Sequence, residues 1–69
     1  MPRLLTQRQL EVLSLLADGA DTAEISERLR ISPTTARSHV AAILGKLKAK
    51  NRTQAVVRAI AMGLIRVET

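Results

Sequence analysis

The chain has 69 residues, 46% of them apolar, with 11 Lys/Arg against 6 Asp/Glu, a net charge of +5 with His neutral, no cysteine, and no Phe, Tyr or Trp. This composition predicts one small domain without disulfide or thiolate metal site, burying only about 60% of the surface its unfolded form exposes, and no run approaches the ~20 apolar residues that cross a bilayer. One histidine, His39, and six scattered carboxylates assemble no nucleophile, acid/base pair or metal-ligand set, so no enzyme, metal site or cofactor is expected, and a soluble cytoplasmic domain is the default.

Thr6 followed by Gln9 has capping-box spacing and opens a first helix, whose apolar residues Leu10, Val12, Leu13, Leu15, Leu16 and Ala17 recur at helical intervals. Gly19 supplies its left-handed end. Asp21-Thr22-Ala23-Glu24 repeats the start signal, with Asp21 or Thr22 as cap, for a helix of roughly two turns carrying Ile25 and Leu29. In the linker Arg30-Ile31, the isoleucine is expected to plug the core. Ser32-Pro33 is the clearest local signal, a serine cap followed by proline at the first helical position, where its missing N–H costs nothing.

The third helix, 33–47, carries one apolar stripe of Ala36, Val40, Ile43, Leu44 and Leu47, expected to face the core. Thr34, Arg37, Ser38, Ala41 and Gly45 lie opposite, leaving a sterically open face from which one arginine projects. Gly45 costs about 1 kcal/mol relative to alanine and points to a frayed or closely approached last turn. After Lys48-Ala49-Lys50, Asn51 with Gln54 caps a fourth helix, 52–62, which Gly63 stops. That helix is apolar on nearly every side except at Arg58, more than a small domain can bury alone, so part of it should meet a partner. No strand alternation appears, and the expected architecture is an all-α, four-helix single domain over 1–69.

Charge is distributed unevenly. Residues 1–27 hold two basic and five acidic side chains, whereas 28–67 hold nine basic ones (Arg28, Arg30, Arg37, Lys46, Lys48, Lys50, Arg52, Arg58, Arg66) and no acidic one. A polyanion is the natural partner of such a segment, and a solvated basic surface the plainer alternative. Residues 22–47 read as a helix-turn-helix, whose second helix fits the major groove, about 12 Å wide. Arg37 then reaches either guanine O6/N7 or a phosphate, and Ser32 with the free N–H groups behind it offers a phosphate seat.

Leu5-Thr6-Gln7-Arg8, Glu11-Val12-Leu13, Gly19, Glu24-Ile25, Leu29, Ile31-Ser32, Thr35, Arg37, His39, Ile43, Lys46-Leu47 and Asn51-Arg52-Thr53-Gln54-Ala55-Val56 resemble the LuxR/FixJ/NarL-type helix-turn-helix domain of bacterial transcription regulators. The resemblance runs from residue 4 to about 65, a spaced pattern far more specific than any single motif. It implies sequence-specific binding of double-stranded DNA, with Thr35, His39 and Lys46 on the backbone, Arg37 on phosphate or base, and Ser38 and Ala41 facing base edges. Thr34 shares the open face, and Arg52 extends the basic run toward the backbone. The resemblance also implies a homodimer through the fourth helix, expected at Val57 and Ala61, with RNA polymerase as a further partner; the chain is then either an effector domain whose receiver or sensor domain lies outside it, or a free-standing regulator.

Four departures from the family pattern stand out: Gln9 for a usual glutamate, which weakens an internal ion pair; Thr22 for asparagine; Ala36 for valine; and Lys48-Ala49 for Gly-Val. The main rival reading is a helical protein-interaction module using the fourth helix. Membrane-surface binding is poorer, because the cations are spread over several elements and no Trp or Phe anchors them.

Overall fold

The computed structural model describes residues 4–66, so the outer residues of the expected 1–69 domain, 1–3 and 67–69, lie outside the described residues. Four helices follow in order: α1 (Gln7–Ala17), α2 (Thr22–Leu29), α3 (Pro33–Leu47) and α4 (Arg52–Ala61). No strand occurs among the described residues.

Each helix starts on a polar side chain that satisfies a backbone N–H otherwise left without a partner. The Thr6 hydroxyl accepts from Gln9 N at 3.1 Å while Gln9 Oε1 accepts from Thr6 N at 3.0 Å, closing the reciprocal box. Asp21, rather than Thr22, caps α2, and Glu24 closes the second box. Ser32 caps α3 with Pro33 behind it. Asn51 caps α4, but Gln54 reaches back to Lys50 N at 2.6 Å, one residue before the cap.

The helix ends share one hydrogen-bond pattern built on two kinds of residue. After α1, Ala20 N donates to Leu15 O and Gly19 N to Leu16 O, both at 3.0 Å, the pair of hydrogen bonds of a Schellman end. Gly63 and Leu64 repeat it after α4. At both positions the turn needs a left-handed backbone, φ +88° at Gly19 and +74° at Gly63, which glycine adopts freely. Behind α2 and α3 the same turn falls on Arg30 (φ 56°) and Lys48 (φ 53°), with Ile31 N on Ser26 O and Ala49 N on Leu44 O. The linker read from sequence as Arg30-Ile31 is thus a helix-ending turn whose left-handed residue carries a side chain.

α3 packs against all three other helices, and α1 also packs on α4. Leu5, Val12, Leu13, Leu16, Ile25, Ala36, Ile43, Leu47, Ala55 and Ala59 form the core, with Ile31, Val40 and Leu44 half-buried against it, as their spacing implies. Ala17, which shares the apolar recurrence of α1, is exposed. α3 continues unbroken through Gly45, and a methyl group added there would meet nothing within 4 Å. The last turn is therefore neither frayed nor crowded by the rest of the described chain.

Candidate nucleic-acid interface

α2, the turn Arg30-Ile31-Ser32, and α3 form a helix-turn-helix, joined so tightly that Ile31 packs against the core while Ser32 already caps the next helix. Fifteen residues give α3 a length of about 22 Å. Its inner side is buried at Ala36, Ile43 and Leu47, whereas Thr34, Arg37, Ser38, Ala41 and Gly45 are all exposed on the opposite side. Apart from Arg37, nothing on that outer face is bulkier than threonine. The Arg37 guanidinium lies along it, with Nη2 donating to Thr34 Oγ1 at 3.4 Å.

The start of α3 is more committed than its sequence implies. Ser32 Oγ accepts from Thr35 N at 3.0 Å and donates to Thr35 Oγ1 at 2.9 Å, and Ala36 N donates to Ser32 O. Pro33 has no N–H. What remains for an anion is the Ser32 and Thr34 N–H groups and the Thr35 hydroxyl proton, so the expected seat at Ser32 loses its hydroxyl and the Thr35 N–H to the cap itself.

Thr35, His39 and Lys46 are brought to one flank of α3 by their spacing of four and seven residues. Thr35 and Lys46 are exposed and His39 is half-buried. The Lys46 ammonium is not free: Nζ donates to Gln9 Oε1 at 2.9 Å, joining residues 37 apart in the chain. Gln9 is only 7% exposed. Its spacing from Thr6 exposes its capping role in the sequence but not this second contact, which only the packing of α1 on α3 creates.

Arg52, exposed at the first position of α4, stands elsewhere: it lines a cleft with Leu16, Ala20, Asp21, Val56 and Val57 between the end of α1 and α4. On α4 itself, Ala55 and Ala59 are buried, while Val57 (59%), Ile60 (37%) and the neighbouring Ala61 are exposed. Among the described residues the one salt bridge is the exposed Arg8–Glu11 pair at 3.2 Å, so no cation from Arg28 onward pairs with a carboxylate of the described residues. No cluster of His, Asp or Glu among the described residues is arranged to hold a metal ion, and no described helix is long and apolar enough to cross a membrane.

A tight two-helix joint, an outward face of small residues on the second helix, and a basic half with no carboxylate partner among the described residues together define a helix-turn-helix DNA-binding domain. The sequence carries the same assignment further: residues 3–59 match the family model described as bacterial regulatory proteins, luxR family, and the chain belongs to that family. It is similar to the transcriptional regulatory protein DegU of Brevibacillus brevis, 45% identical over 64 residues that make up 93% of this chain and 27% of that protein. It is likewise similar to the transcriptional activator protein SolR of Ralstonia solanacearum, 50% identical over 62 residues, 90% of this chain and 26% of that one. This chain thus spans about a quarter of the length of these relatives. The solved structure of the transcription factor GerE superposes with a TM-score of 0.90 at 33% identity, covering 97% of this chain and all of that one.

Proposed function

We propose that this chain binds double-stranded DNA sequence-specifically within a bacterial transcription regulator, with α3 lying in the major groove and α4 joining two copies. The observation that carries the reading is the outer face of α3: small at Thr34, Ser38, Ala41 and Gly45, cationic at Arg37, and exposed throughout. A face studded with large apolar groups would hold the helix off the base edges, whereas this one lets backbone and short side chains approach them. Thr34, Ser38 and Ala41 meet the bases, Arg37 takes guanine or an adjoining phosphate, and Thr35, His39 and Lys46 hold the backbone along the flank. Lys48 and Lys50 add field near the end of α3. Arg52, placed by the α1–α4 cleft, contributes long-range attraction more than contact.

The dimer rests on the exposed Val57, Ile60 and Ala61 of α4. Two copies joined there would read two half-sites about one helical turn apart. The relatives' greater length supports a larger cytoplasmic regulator in which a receiver or sensor domain governs this one and RNA polymerase is the downstream partner.

The test is a DNA-binding titration over salt, using duplexes selected by the chain from a random-sequence pool. With roughly six to eight phosphates engaged by the dimer, affinity should fall by about three orders of magnitude or more between 50 and 200 mM salt. Arg37→Ala should weaken binding by about 10–100-fold and leave helicity and melting unchanged, because its side chain leaves the core. A salt-independent interaction, or an Arg37→Ala variant that binds normally, overturns the reading. If Val57 and Ala61 substitutions abolish function while Arg37 and Lys46 substitutions do not, the chain is instead a protein-interaction module.

A further inference from the structure

We propose that Gln9 is a positioning residue for DNA binding: its neutral side-chain oxygen holds the Lys46 ammonium ready for a DNA phosphate without cancelling its charge. The inference rests on the DNA-binding reading above and adds to it a residue that belongs to α1, outside the helix-turn-helix.

The geometry is closed on the glutamine side and open on the lysine side. Gln9 Oε1 accepts from Thr6 N at 3.0 Å and from Lys46 Nζ at 2.9 Å, which fills both lone pairs of an amide oxygen. Two donors converging on that oxygen fix which way the amide points, and burial to 7% exposure fixes the rest of the side chain. The ammonium has three N–H groups, spends one on Gln9, and keeps two for other acceptors. Lys46 is exposed on the same flank of α3 as Thr35 and His39, so those two donors serve a surface that a phosphate backbone can reach.

A flexible lysine loses rotamer freedom when it grips a phosphate, and a partner that orders it beforehand removes part of that loss. A glutamate at position 9 would order it too, at a different cost. A carboxylate as buried as Gln9 would accept from the Thr6 N–H and pair with the nearby ammonium, and that ion pair would compete directly with the phosphate for Lys46. Phosphate affinity and its salt dependence come from cations that displace condensed counterions, so a lysine already neutralised contributes little to either. The amide keeps the geometry and leaves the charge.

Gln9→Glu isolates this contribution, because glutamate at the third helical position also closes the capping box and the fold should be retained. Wild type, Gln9→Glu, Lys46→Ala and the double variant are titrated with one duplex, selected by the wild-type chain from a random pool, at several salt concentrations, with melting temperatures measured in parallel. Gln9→Glu is expected to bind about 10-fold more weakly at 50 mM salt, with a log–log salt slope shallower by about one, while melting no lower than wild type. In the Lys46→Ala background the same change should have no effect on affinity. Equal affinity and slope for Gln9→Glu and wild type overturn the proposal and leave the DNA-binding reading standing, as a merely structural role predicts. An undiminished loss in the Lys46→Ala background also overturns it, because Gln9 would then act by another route. Absence of salt-dependent binding by wild type overturns the DNA-binding reading itself, and this proposal with it.

Discussion

α3 and α4 each turn one side to the core and leave the other uncovered, and the two uncovered sides have opposite chemistry. On α3 the exposed residues are Thr34, Arg37, Ser38, Ala41 and Gly45; on α4 they include Val57, Ile60 and Ala61. A face of small polar groups around one arginine gains little from apolar contact and much from an anionic groove. A face of branched apolar groups gains from being covered by another of its kind. Two surfaces so different on one 69-residue chain suit different partners: DNA for the first and, in the function proposed above, a second copy for the other.

The comparison assumes that the inner sides carry the fold and the outer sides do not, and the largest effect tests this. Ile43 is fully buried in the second half of α3. Ile43→Ala should cost roughly 2–5 kcal/mol, a large share of the roughly 3–10 kcal/mol expected for a domain of this length. Denaturant titration should show partial or complete unfolding at room temperature. A loss below 1 kcal/mol would show that the stripe is not the structural side and that the faces have been assigned the wrong way round.

A smaller effect on stability, with a sharp one on assembly, is expected on α4. Val57 is 59% exposed, so Val57→Asp should change stability by no more than about 0.5 kcal/mol. Sedimentation should show loss of self-association, and affinity for a two-half-site duplex should drop toward that for a single half-site. Full dimerisation of the variant would remove α4 as the joining surface and leave its apolar side for another partner.

How much of this division could be read beforehand follows the range of each interaction. Caps act over three residues, so Thr6 with Gln9, Ser32-Pro33 and Asn51 locate the helix starts directly from sequence. The stripe of α3 is periodic, so its buried side was legible too. The Lys46–Gln9 hydrogen bond spans 37 residues and arises only when α1 lies against α3, a juxtaposition that no local pattern encodes. Arg52 illustrates the same limit: the basic run does not reveal that this residue lines the cleft between α1 and α4. The outward exposure of Ala17 also escapes periodicity, because the apolar set of α1 is wider than the side its neighbours cover.

The finest contrast lies at the end of α3, where the chain has a glycine suited to alanine and a lysine suited to glycine. Gly45 lies in regular helix with open space where a methyl would stand, so Gly45→Ala should stabilise by up to about 1 kcal/mol. Lys48 holds a left-handed φ of 53° at a Schellman end, where the family commonly has glycine, and Lys48→Gly should relieve strain of about 1 kcal/mol, less the favourable effect of a cation at a helix C-terminus. The double variant should therefore melt several degrees higher than wild type. If the outer face of α3 is the one pressed against DNA, the same variant should bind DNA more weakly, because it adds bulk to that face at Gly45 and removes a cation beside it. Stability and affinity would then move in opposite directions, the pattern expected when residues at a functional surface are kept at some cost to the fold. If both rise together, the last turn of α3 stays clear of the DNA, and the reading surface ends nearer Ala41.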